Sequence, residues 1–152
     1  MTPTPCESSI AQPCEISYIE DNDADAVMIE TAIRQSGCSR NPTRFAGSEE
    51  FLSHLDGIRR PAPWHHGSLL IDINLPSGSG FDILERVRQQ YGPGELPVAI
   101  FSGGAREAEV THAYQLGANV YIHKPMAYPE YRRRITGLCG FFSRLKTAPE
   151  SG

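Results

Sequence analysis

SLLIDINLPSGSGFDILERVRQQYG, residues 68 to 92, holds three patterns in succession. SLLIDI is an almost unbroken apolar run of strand length, the composition of a strand buried on both faces. NLPSGSG is made of loop formers. After it, Phe81, Leu84, Val87 and Tyr91 recur three, three and four residues apart until Gly92 and Pro93 intervene, which predicts a helix with one apolar face. Strand, loop and helix in this order predict one half of a βαβ unit, and Asp72 is the anomaly within it. A buried charge that lacks its partner costs about 3 to 5 kcal/mol, so a carboxylate in an apolar strand demands compensation.

The same alternation continues in both directions. Upstream, EISYIED (15 to 21) reads as a strand and ADAVMIETAIRQSG (24 to 37) as a helix stopped by Gly37; TRFAG (43 to 47) is a weaker strand before EEFLSHLDGIRR, which Ser48 is placed to cap. Downstream, LPVAIFS, REAEVTHAYQLG and NVYIHKP read as strand, helix and strand. From Tyr128 to about Lys146, apolar residues at 128, 131, 135, 138, 142 and 145 predict a long last helix whose spacing suits packing on another helix. Strands alternating with helices predict a doubly wound α/β fold on a five-stranded parallel sheet, with an extended C-terminal helix. Residues 14 to 147 are expected to form the domain, with a Pro- and Ser-rich tail at 1 to 13 and a short tail at 148 to 152.

Composition narrows the function classes. A chain of 152 residues with 39% hydrophobic and 21% charged residues is the size and make-up of one soluble domain. No apolar run approaches the ~20 residues of a membrane span, and the start MTPTPCESSIAQPCE lacks the features of a secretory signal, so cytoplasmic residence is expected. A net charge of −4 argues against general nucleic-acid binding. Arg132, Arg133 and Arg134 form the only basic run, read as a solvated helix face with Glu130 paired to Arg134. Cys6, Cys14, Cys38 and Cys139 show neither metal-ligand nor disulfide spacing, and the adjacent His65 and His66 read as surface-loop residues.

Polar residues close four of the predicted strands: Glu20 and Asp21, Asp72, Ser102, and Lys124. Parallel strands place these ends along one edge of the sheet, where open α/β folds bind ligands. Taken singly, Glu20 and Asp21 fit a helix start, Ser102 a turn, and Lys124 a solvated loop. Together, three carboxylates call for a cation, and Mg²⁺ is typically held by one or two carboxylates plus a phosphate. An ammonium and a hydroxyl beside them suit the oxygens of a phosphoryl group.

In this order the residues resemble the receiver domain of bacterial response regulators, from about Ile16 to Leu145. The resemblance implies the flavodoxin-like receiver fold, with Asp72 as phosphoacceptor and Glu20, Asp21, Asp72 and the Asn74 backbone carbonyl holding Mg²⁺. It also implies Ser102 and Tyr121 as the switch pair, and Lys124 before Pro125 as the lysine on the phosphoryl oxygens. Leu75, Pro76 and Gly80 continue the motif. Asp23, Val120 and Gly104 depart from the usual residues without removing a catalytic group. EDNDADAVMIETAI, DINLPSG and the long last helix look most like the single-domain regulators of phytochrome-type histidine kinases. That implies a sensor histidine kinase or phosphotransfer protein as phosphodonor, output through protein contacts, and a homodimer through the C-terminal helix. Two rivals share parts of the pattern. A haloacid-dehalogenase-like phosphatase needs an acid where Asn74 stands, and an unphosphorylated pseudo-receiver has no use for the full set of Asp21, Asp72, Ser102 and Lys124.

Overall fold

The computed structural model describes residues 15–37, 41–58, 67–73, 80–103 and 106–147. Both expected tails, His65 and His66, Asn74, Leu75, Pro76 and Gly104 lie outside these residues. Ten elements follow one another: β1 (Ile16–Ile19), α1 (Asp23–Ser36), β2 (Thr43–Phe45), α2 (Ser48–Asp56), β3 (Ser68–Asp72), α3 (Gly80–Gln90), β4 (Val98–Ser102), α4 (Glu107–Gln115), β5 (Val120–His123) and α5 (Tyr128–Thr147). All strands pair in parallel, as the alternation predicted, and their order in the sheet is β2-β1-β3-β4-β5.

Strand periodicity sorts the core into two layers. Leu69, Ile71, Val98 and Ile100 face one way, onto Phe51, Leu55, Ile83, Leu84, Val87 and Ala113 of α2, α3 and α4. Leu70, Ala99 and Phe101 face the other, onto Ala26, Ile29 and Ile33 of α1 and Tyr131, Ile135, Leu138 and Phe142 of α5. Every residue of β3 and β4 is buried, which explains their near-continuous apolar runs. Each fully buried Leu or Ile contributes roughly 2 kcal/mol by leaving water.

Two expectations shift at this level. Ser48 is the first residue of α2 and not its cap; Gly47 is the cap and makes no side-chain hydrogen bond, while Glu50 Oε2 accepts from the Ala46 N–H at 2.6 Å. The spacing in α5 has an internal cause, because Tyr131, Ile135, Leu138 and Phe142 are buried in the molecule's own core. Phe141, half-buried, is left at its margin. Cys139 is buried, its sulfur 3.3 Å from Ser36 Oγ.

Candidate functional site

Parallel register builds the site. Asp72 pairs with Phe101 and Ser102 with His123, so β3, β4 and β5 end at nearly one level, with Glu20 directly after β1. The start of α3 presses on that edge. A Cβ at Gly80 would lie 2.8 Å from the Asp72 carbonyl oxygen and 2.8 Å from Ile73 Cα, so only glycine fits there without moving backbone. The Gly80 N–H donates to the Ile73 carbonyl at 3.1 Å and ties the end of β3 to the helix.

Glu20, Asp21 and Asp72 each offer a carboxylate oxygen within 4.8 Å of the others'. Glu20 is 1% exposed and Asp72 7%, whereas Asp21 is open to solvent. Lys124 Nζ donates to Asp72 Oδ2 at 3.2 Å and to Glu20 Oε1 at 3.4 Å. Its backbone N–H donates to the Ser102 carbonyl at 2.7 Å, and its ammonium stands 5.5 Å from the centre of the Phe101 ring. Burial, reinforced by the Asp72 carboxylate, pushes the Glu20 carboxyl up to about 7. Burial works against the Lys124 ammonium, but Asp72 and Glu20 outweigh it and hold its pKa above the ordinary value.

Of the residues anticipated from sequence, Glu20, Asp21, Asp72 and Lys124 meet in one cluster, and buried Ser102 ends the strand next to Asp72. Tyr121 stands apart from them. It is level with Ile100, half-buried on the α4 side of the sheet, and its N–H donates to the Tyr114 hydroxyl at 3.1 Å. The arginines of α5 behave as read, with Glu130 pairing both Arg133 and Arg134. Three supports were not anticipated. Arg44 Nε donates to the Glu20 carbonyl at 3.0 Å while its other end pairs with Asp23, Phe101 floors Lys124, and His123 Nε2 lies 3.0 Å from the Gly103 carbonyl. A lone cation on a three-residue edge strand was the one available signal, for Arg44.

The donor set consists entirely of oxygens and carries more negative charge than Lys124 can balance, which suits a hard divalent cation. Residues 16–136 match the Response regulator receiver domain family. The chain belongs to the response regulator receiver family. A receiver domain from Rhodospirillum rubrum has the same fold at a TM-score of 0.74 and 34% identity, over 84% of this chain and 92% of that one. The phosphorylated cyanobacterial phytochrome response regulator RcpA aligns at a TM-score of 0.72 and 24% identity, over 91% and 99%. Response regulator Rcp1 of Synechocystis is 22% identical over 139 residues, covering 90% of this receiver and 94% of Rcp1. This receiver functions in phosphorylation-based two-component signalling, and the unphosphorylated alternative is not favoured. Among the described residues no helix is long and apolar enough to cross a membrane.

Proposed function

We propose that Asp72 takes a phosphoryl group from a phosphohistidine of a sensor kinase or phosphotransfer protein, with Mg²⁺ held by Asp21, Asp72 and, through water, Glu20. The observation that carries this reading is the Lys124 ammonium resting on Asp72 and Glu20 within the carboxylate cluster. An Asp72 carboxylate oxygen forms the new O–P bond as the N–P bond breaks and its electron pair returns to the imidazole. Lys124 neutralises oxygen charge as the group transfers, and Mg²⁺ supplies further positive charge on the same oxygens. Ser102 then donates its hydroxyl proton to a phosphoryl oxygen, and Tyr121 moves toward the space released, which changes the surface around β5. Acetyl phosphate with Mg²⁺ is expected to shift the wild type on a phosphate-affinity gel and to leave Asp72→Asn unshifted. No shift of the wild type with acetyl phosphate or a phosphorylated kinase would sink the assignment.

The choice of a divalent cation is supported by Rcp1, which has been solved in a Mn(2+)-bound form. With Glu20 pushed up to about 7, cation binding must expel its proton. Mg²⁺ affinity is therefore expected to be about tenfold weaker at pH 6 than at pH 8, because the ionised fraction of such a group falls about tenfold between them. Calorimetric titration in two buffers of different ionisation heat measures both the affinity and the released proton; a flat affinity across this range would refute the linkage.

A homodimer is the second element of the proposal, now placed beside α5 and not along its buried seam. Val120, Tyr121, Ile122, Leu138 and Phe141 line a groove of about 310 Å³ between β5 and α5, and a second copy covering it would bury Phe141. Light scattering over a concentration series is expected to give a dimer mass for the wild type and a monomer for Phe141→Asp. A monomeric wild type at every concentration would exclude the dimer.

A further inference from the structure

Asp21 is the acid of the cluster that packing does not hold. Glu20 and Asp72 are buried and share the Lys124 ammonium, whereas Asp21 is open to solvent and, among the described residues, its carboxylate meets no hydrogen-bond donor. Its place beside the other two is therefore set by its own backbone, in the turn between the end of β1 and the start of α1. An exposed turn with few contacts opens easily unless a neighbouring element ties it down.

Arg44 is that tie. It stands on the edge strand β2 opposite Tyr18, yet its Nε donates to the carbonyl of Glu20, two residues farther along β1's direction, at 3.0 Å. This carbonyl belongs to the planar peptide group that leads into Asp21, so the bond fixes the plane from which the Asp21 side chain departs. A terminal nitrogen of the same guanidinium pairs with Asp23 Oδ1 at 3.0 Å, on the first residue of α1. One rigid fork thus holds both ends of the turn. The two contacts differ in weight. The Asp23 side chain is 92% exposed, where an ion pair is worth little, whereas that of Arg44 is 28% exposed and its bond to the carbonyl is part-buried. β2 also accepts the Glu20 N–H, at the Phe45 carbonyl and 3.1 Å, and Asn22 Oδ1 accepts the Asp25 N–H at 2.9 Å on the α1 side.

By charge alone Arg44 is misplaced, because a positive group beside a cation site repels the cation. Its geometry acts in the opposite direction. We propose that Arg44 is a positioning residue for the cation site: by clamping the Glu20–Asp21 peptide group to the edge strand, it holds the Asp21 carboxylate where a small divalent cation needs it. Mg²⁺ demands near-ideal octahedral geometry, whereas Ca²⁺ accepts variable ligand arrangements, so the clamp favours the smaller ion. This rests on the reading of Glu20, Asp21 and Asp72 as a divalent-cation site.

The test is calorimetric titration of metal-free wild type, Arg44→Met and Arg44→Lys with Mg²⁺ and, separately, with Ca²⁺. Arg44→Met keeps an unbranched stem and removes the fork. Its Mg²⁺ affinity is expected to fall about tenfold, the low end of what losing a group behind a metal ligand does, while its Ca²⁺ affinity falls much less. Arg44→Lys should behave like Arg44→Met, because an ammonium does not reproduce the planar fork. The Asp21 amide NMR signal of the metal-free protein should shift in both variants. An Mg²⁺ affinity in Arg44→Met equal to or above that of the wild type would overturn the proposal and leave Arg44 as an opposing charge only. Equal losses for the two ions would overturn it as well, and so would full rescue by Arg44→Lys. If Arg44→Met does not fold, Arg44→Lys decides by the same comparison of ions. A wild type that binds neither ion would instead overturn the cation site itself, and this proposal with it.

Discussion

Lys124→Met is expected to lose about 3 kcal/mol of stability at pH 8 and to take up phosphate about a hundredfold more slowly. The ammonium stands 3.2 Å from Asp72 and 3.4 Å from Glu20, and methionine keeps its bulk while leaving two buried carboxylates facing each other. The deficit should depend on pH in a definite direction. In the wild type Glu20 holds its proton more tightly folded, up to about 7, than in the unfolded chain near 4.5. Its contribution to stability is therefore complete below the unfolded value and lost as pH rises through about 7. Lys124 lowers the Glu20 pKa, so its removal drives that pKa higher and steepens the loss. The raised pKa of Lys124 matters only in alkali, since its contribution is full below 10.5 and lost above the folded value. Between pH 5 and 8 the gap between variant and wild type should therefore widen, as urea unfolding in metal-free buffer at each pH would record. A gap of equal size at both ends would show that Glu20 plays no part.

The comparison with the sequence divides along a physical line. Element order, the parallel sheet and the meeting of Glu20, Asp21, Asp72 and Lys124 were legible because each depends on local period and on which residue closes a strand. Tyr131 and Phe101 were not, since both sit in apolar patterns where an aromatic needs no explanation. Only register across β3 and β4 places Phe101 opposite Asp72, and only the packing of α5 brings Tyr131 behind it. The spacing along α5 was legible as a seam for packing on another helix, but which helix was not: the same period serves a second copy or the molecule's own α1, and Tyr131, Ile135, Leu138 and Phe142 are buried with Ala26, Ile29 and Ile33 of α1. Ser48 shows the limit at boundaries, where Gly47 in extended backbone displaces the cap by one residue.

Arg88 is the strongest case of an illegible residue, and its replacement by methionine is expected to cost about 3 to 5 kcal/mol. Within ERVRQQ it reads as one more solvated helix cation. In the fold its guanidinium donates to the carbonyls of Gly117 at 2.9 Å, Leu96 at 2.8 Å and Tyr91 at 3.2 Å, and to Asn119 Oδ1 at 3.0 Å. Asn119 Oδ1 also accepts the Val98 N–H at 2.7 Å, so one side chain ties the end of α3 to the starts of β4 and β5. Burial lowers the Arg88 pKa to about 10, which still leaves it charged at neutral pH, with carbonyl dipoles in place of water. Methionine would strand those acceptors, and Arg88→Lys should rescue little, because an ammonium cannot reproduce the planar fork. Gly117, at φ 102, belongs to the same knot: a Cβ there would come 3.0 Å from Arg88 Nε. The knot lies at the edge of the sheet opposite Asp72, where β4 and β5 begin. Urea midpoints of Arg88→Met and Arg88→Lys should therefore fall together while Mg²⁺ affinity under folding conditions stays at the wild-type value. A stable Arg88→Met would show that water satisfies these carbonyls as well as the guanidinium does, and a loss of Mg²⁺ affinity would show that the two edges of the sheet are coupled.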